Sequence, residues 1–289
     1  SDTTTFDGKV NFTLGALSYD GTGTDTVSNE AALFKYTWTG NLNTSFTGDD
    51  NLYVRLKTGN ATSWTSDKDH GTYLSSSNGN SDALKVDKIW YSFPVGERNT
   101  IYVGPKIENY YMHGTTPSIY KPVLKAFSLG GNAAAYGAST DTGAGWVYKA
   151  DNGFAISSNI GTKSKTSVKV YDTIVDANGN TVTQTTYTYG ESGLLTDESK
   201  TSWATQVGLT KDRWAVSGMI NLKYNDWGDS YYSTATGDDR NENSTNYGLR
   251  AWWRPLETGT ATPEISFGYD YSTLDGYATN DTTDAYFVA

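Results

Sequence analysis

The sequence predicts an all-β protein: a transmembrane antiparallel up-and-down β-barrel, with about 11–12 of its strands represented. Three features predict it. About every ten residues, side chains turn apolar on alternate positions and then stop, which is the length and period of a membrane-crossing strand. The gaps between these stretches alternate short and long, as the two ends of an up-and-down barrel require. No run of about 18 apolar residues exists, which excludes a helical span. A mean hydropathy of -0.56 still suits a barrel, because only alternate residues meet lipid.

The elements follow in order. In the first stretch, Phe6 to Ala16, the even positions are apolar or Gly. In the second, Ala32, Phe34, Tyr36, Trp38, Gly40, Leu42 and Phe46 share a face, opposite Lys35, Thr37, Thr39, Asn41 and Asn43. Leu52, Val54 and Leu56 oppose Tyr53, Arg55 and Lys57. Leu84 to Phe93 sets Ile89, Tyr91 and Phe93 against Lys88 and Ser92, and a shorter strand surrounds Ile101 and Val103. Ala144, Trp146 and Tyr148 form the next, then Phe154, Ile156 and Ile160, then Trp203, Val207 and Leu209. The cleanest runs Trp214, Val216, Gly218, Ile220, Leu222, Tyr224. Tyr247 to Trp253 and Ile265 to Tyr271 follow, and a twelfth strand opens near Ala285.

Short turns fall at 47–50, 95–98, 151–153 and 211–213, with a longer one near 256–261. Long polar gaps fall at about 18–30, 59–82, 107–142, 161–200, 225–244 and 273–283. The first gap is long, so Phe6 starts on the short-turn side. Within 161–200, Asn178-Gly179 separates two alternating runs that are polar on both faces. That is a hairpin signal, read as standing above the membrane rather than adding two staves. Trp214 and Tyr224 bracket one strand, and Tyr247 and Trp253 another, which fits interfacial aromatic girdles. The alternative is that Trp and Tyr simply favour strands.

Composition narrows the function. The chain of 289 residues is expected to form one barrel domain, residues 1–289. Its 30 Gly, 22 Tyr and 6 Pro suit strands and turns. Without cysteine there is no disulfide, thiolate nucleophile or Cys-ligated zinc. Two histidines, His70 and His113, do not make a multi-His metal centre. A net charge of -10 argues against nucleic acid as a partner. No signal peptide stands at Ser1; an exported protein would have lost it, or the chain is a piece of a longer one.

If the apolar face meets lipid, the other face lines an aqueous interior. Its charged residues are mainly basic: Lys9, Lys35, Arg55, Lys57, Lys88, Lys106, Lys149, Lys223, Arg250 and Arg254, against Asp7, Glu264 and Asp270. Such a wall favours anions or shapes a transverse field; the alternative is that these cations merely solvate the wall and acidic loops set selectivity. The gap 107–142 is too apolar for an exposed loop, with Pro117, Ile119, Pro122, Val123, Leu124 and Phe127. It is expected to fold inward as a constriction. Glu108 would face the basic wall beside Tyr110, Tyr111 and His113, the last as a hydrogen-bonding residue. The alternative is packing on the rim or against a neighbouring subunit.

Thr4 to Ala16 resembles the first barrel strand of cyanobacterial outer-membrane porins. Val86 to Gly96 and Ile101 to Lys106 resemble the strand pair before that family's third loop. These proteins belong with the carbohydrate-selective OprB-like porins. The resemblance implies about sixteen strands in the full barrel, a homotrimer in outer-membrane lipid, and passage of small solutes and inorganic ions. Family members usually carry an N-terminal surface-layer-homology domain and coiled coil reaching peptidoglycan; neither is in this sequence. The chain is thus expected to be a fragment lacking about four strands.

Rival readings are a carbohydrate-selective channel, with Tyr53, Trp90, Tyr102 and Trp252 stacking on sugars or else filling space beside the 107–142 segment, and a soluble β-rich adhesin or lectin. In the latter, Thr47 to Asn51 or Asp238 to Asn243 would hold Ca²⁺, although no spacing matches a calcium loop. No enzymatic activity and no other cofactor are expected.

Overall fold

The structure, a computed structural model, describes residues 4–16, 31–62, 65, 74–120, 123, 135–137, 140–163, 165–194, 196, 199–225, 243–257, 261–275 and 282–289; of 165–174 and 184–192 it describes the backbone alone. The strands are β1 (Thr4–Gly15), β2 (Leu33–Thr44), β3 (Asn51–Ala61), β4 (Asn78–Gly79), β5 (Lys85–Val95), β6 (Asn99–Lys106), β7 (Gly143–Lys149), β8 (Phe154–Lys163), β9 (Lys165–Val175), β10 (Thr181–Ser192), β11 (Lys200–Lys211), β12 (Trp214–Tyr224), β13 (Ser244–Trp253), β14 (Ile265–Leu274) and β15 (Thr282–Val288). Twelve of them form one antiparallel path, β1-β2-β3-β5-β6-β7-β8-β11-β12-β13-β14-β15, with β4 paired to β3. Neighbours in the path follow one another along the chain except at β3–β5 and β8–β11. The sheet is open, with β1 and β15 as its edges.

The exception at β8–β11 is the Asn178-Gly179 hairpin. β9 and β10 pair only with each other, while β8 pairs directly with β11 through contacts such as Ile160↔Trp203. The two strands therefore stand outside the main sheet. Gly179 has φ +83°, a conformation that strains most other residues. Asp176 Oδ1 accepts from the Asn178 and Asn180 amides at 2.8 and 2.9 Å. Those backbone bonds, that from Asn180 first, hold the Asp176 carboxyl below its ordinary range.

The β2–β3 turn is built on Asp50. Its Oδ1 accepts from Ser45 Oγ and from the Phe46 and Thr47 amides at 2.7–2.9 Å, and its Oδ2 accepts from Tyr91 Oη at 2.6 Å. These donors, Tyr91 first, hold its pKa well below the carboxylate range.

The two faces of the sheet are inverted relative to a water-soluble protein. Phe12, Leu14 and Phe34 are 67%, 73% and 68% exposed, and Val216, Leu249 and Phe267 continue that open apolar face. On the opposite face Lys223, Asn221 and Asp270 are fully buried and Arg250 is 2% exposed. Leaving one such apolar side chain in water forfeits roughly 1.5–3 kcal/mol. Charged residues are almost never fully buried unless paired.

Candidate functional site

The buried polar face is covered by part of the long β6–β7 connection. Of its described residues, 107–120 and 135–137 lie against β3, β5, β7, β8 and β11–β14. Ile107 and Met112 are fully buried, and Asn109–Met112 forms a single 3₁₀ turn.

Buried backbone needs partners, and the sheet's side chains supply them. Ser157 Oγ accepts from the Gly114 amide at 3.1 Å. Gln206 makes a reciprocal pair with Thr115, accepting from its amide and donating to its carbonyl, both at 2.9 Å. Trp252 Nε1 donates to the Thr116 carbonyl at 3.1 Å, and Ser266 Oγ accepts from the Ile119 amide at 3.1 Å. Asn221 Nδ2 donates to the Ala135 carbonyl at 3.2 Å. Close approach also needs glycine: a Cβ on Gly208 would lie 2.3 Å from Thr115 Oγ1, and one on Gly145 would lie 2.8 Å from Met112 Sδ.

Two charged stations lie under this segment. At the first, Arg55 Nε donates to Asp87 at 2.6 Å, its Nη2 pairs with Glu108, and its Nη1 donates to Tyr111 Oη at 3.2 Å. Lys57 Nζ stands 4.0 Å from Asp87, and Lys88 Nζ donates to the Ile107 carbonyl at 3.1 Å. Aromatic rings adjoin it: Tyr53–Trp90 at 4.3 Å, Trp90–Tyr111 at 5.1 Å and Tyr110–Tyr111 at 4.9 Å between centroids. Burial pushes the Tyr110 phenol well above its ordinary pKa.

At the second, Arg250 Nη2 donates to both oxygens of Asp270, at 2.8 and 3.0 Å. The Tyr136 ring faces Arg250 at 5.9 Å, and His113 Nε2 donates to the Tyr136 carbonyl at 3.0 Å. That bond places the proton of neutral His113 on Nε2; Nδ1 is buried and has no hydrogen-bond partner among the described residues. Burial first, then the nearby Arg250 charge, push its pKa down to about 4 against the bond to Tyr136.

The structure thus brings Arg55, Lys57, Lys88, Glu108, Tyr110 and Tyr111 together, and places His113 beside Arg250. Lys223 is buried on β12, and Lys106 Nζ donates to the Val86 carbonyl at 3.3 Å. Lys9 is exposed on edge strand β1, Lys35 is half-buried on β2, and Lys149 is exposed where β7 ends. Arg254 and Glu264 lie beyond the strands in the exposed β13–β14 connection, where Arg254 donates to the Asp212 carbonyl.

Asp87 had escaped the alternation. β3 and β5 slip register between Arg55↔Lys88 and Leu56↔Val86, so Asp87 is the extra residue of a bulge. A bulge re-aims a side chain, here toward Arg55. A lone acid between Val86 and Lys88 was the available signal. Among the described residues, no group of three or more His, Asp or Glu is placed to hold a metal. Asp238 to Glu242, His70 and residues 124–134 lie outside the described residues.

No protein-family model matches the chain, and no curated protein does. Among solved structures it is similar to the trimer form of OmpT, an outer membrane protein of Vibrio cholerae, at 10% identity and TM-score 0.41, over 99% of this chain and 82% of that one. It is also similar to a deletion mutant of TodX, a monoaromatic hydrocarbon channel, at 10% identity and TM-score 0.37, over 97% and 76%. A third is the outer membrane channel DcaP of Acinetobacter baumannii, at 12% identity and TM-score 0.33, over 94% and 78%. At such identities and TM-scores no residue role, solute or assembly passes to this chain. Its own strand order and inverted faces give the fold class, the antiparallel up-and-down sheet of outer-membrane barrels.

Proposed function

We propose that this chain forms the wall of an outer-membrane channel for passive diffusion of small hydrophilic solutes and inorganic ions. The inverted partition of the sheet carries the reading. An apolar outer face of exposed Phe, Leu and Val suits lipid, and a polar face of paired charges suits an aqueous path. The segment 107–120 then narrows that path, with Arg55 and Glu108 at its edge. Assembly as a trimer, and kinship with OprB-like porins, rest on the resemblance of residues 4–16, 86–96 and 101–106. Planar-bilayer recording tests the function: discrete current steps are expected, and their absence with correctly inserted protein refutes it.

One observation favours carbohydrate passage. Tyr111 is 42% exposed beside the charged station, at the edge of an aromatic cluster whose Tyr53 and Trp90 are buried beneath it, and it offers a sugar ring one face to stack on. Current block by maltose or glucose tests this, and unblocked current contradicts it.

A further inference from the structure

The short-turn end of β11–β14 carries a feature that solute passage does not use. Lys211, Trp214, Trp253 and Ile265 are successive cross-strand partners, a single row on the apolar face. Trp214, Trp253 and Ile265 are 40%, 37% and 43% exposed. At this row a cleft of about 350 Å³ is lined by Lys211, Asp212, Arg213, Trp214 and Trp253.

The cations are held but not consumed. The Arg213 guanidinium stands 5.4 Å from the Trp253 ring, and its Nε donates to the Arg254 carbonyl at 3.2 Å. Arg254 returns the tie by donating to the Asp212 carbonyl at 2.8 and 3.0 Å, so the two turns are laced together. Among the described residues the Nη groups of Arg213 have no hydrogen-bond partner. Lys211 Nζ spends one hydrogen on the Asn152 carbonyl at 2.6 Å and keeps two. Asp212 sets one carboxylate against these two cations.

Indoles bordering an apolar face, with guanidinium and ammonium donors just beyond it, match an acyl chain below and a phosphate above. The geometry points to a binding site for an anionic glycerophospholipid. Its phosphate would sit between Lys211 and Arg213 and its acyl chain along Trp214 and Trp253. This rests on the reading that the apolar face meets lipid.

Brominated lipids quench tryptophan on contact. The chain is reconstituted in two vesicle preparations of identical composition, mostly phosphatidylcholine with a minority of phosphatidylglycerol. Bromine is carried by one lipid or the other. The Trp214 and Trp253 signal is the difference between the chain and a Trp214→Phe/Trp253→Phe variant. One surface cation enriches anionic headgroups by about fivefold. Quenching per brominated lipid should therefore be severalfold stronger from phosphatidylglycerol, and the ratio should fall toward one in Lys211→Gln/Arg213→Gln. Retained heat-modifiable mobility shows that this variant still folds. Equal quenching by both lipids overturns the site and leaves the membrane reading intact. No quenching by either overturns both.

Discussion

Replacing Glu108 by Gln isolates the first charged station. The Arg55 and Glu108 side chains are 9% and 12% exposed, so their pairing takes place largely out of water. Removing one partner of a buried pair typically costs about 3–5 kcal/mol. Here Asp87 and the Tyr111 hydroxyl stay on Arg55, so the loss should be nearer ~1–2 kcal/mol, small enough to keep the fold. The electrostatic consequence is larger than the structural one, because the station gains one positive charge. An ion passing at about 5 Å feels roughly 1–3 kcal/mol from a unit charge at effective dielectrics of about 80 to 20. The chloride-to-potassium permeability ratio should then rise at least ~3-fold. Reversal potentials in a salt gradient across a planar bilayer read this directly. An unchanged ratio in a channel of normal conductance would place Arg55 and Glu108 off the conduction path.

Other outcomes follow from the same contacts. Gln206→Ala orphans the amide and carbonyl of Thr115 and should weaken docking of the 107–120 segment by ~2–4 kcal/mol, read as faster proteolysis within that segment. Gly208→Ala should undock the same segment, because its Cβ meets Thr115 at 2.3 Å. Gly218→Ala meets only Leu249, at 3.6 Å, and should be tolerated. His113 is neutral in the docked segment because its pKa there is about 4 against an ordinary 6.5. The undocked form binds more protons between those values, so docking is unaffected above pH 6.5 and weakens as pH falls toward 4, by roughly 3 kcal/mol in all. Proteolysis of the segment should rise over that window, and His113→Asn should remove most of the rise.

Much of this was legible in the residues. Period two sets which face a strand residue takes, so Leu52-Tyr53-Val54-Arg55 and Ile89-Trp90-Tyr91 alone put Arg55 and Trp90 on the polar side, where both are buried. Asn178-Gly179 marked a hairpin outside the sheet because its turn conformation is local. Two kinds of fact were not legible. Parity tells which face a side chain takes but not where the strand ends, so Glu264 and Arg254 keep the right phase yet lie just outside β14 and β13. Pairing across the sheet depends on tertiary distance: Gln206 and Thr115 are 91 positions apart, and no periodicity links them. The Asp87 bulge broke the phase itself, which alternation assumes unbroken.

Contact of the exposed apolar face with lipid can be measured directly. The chain has no cysteine, so single cysteines at Val207, Val216 and Leu249 accept spin labels without background. In reconstituted vesicles, electron paramagnetic resonance compares collisions with oxygen, which concentrates in lipid, and with a water-soluble nickel chelate. High oxygen and low nickel accessibility at all three positions is the expected result. High nickel accessibility there would mean that water covers this face, and would contradict the account.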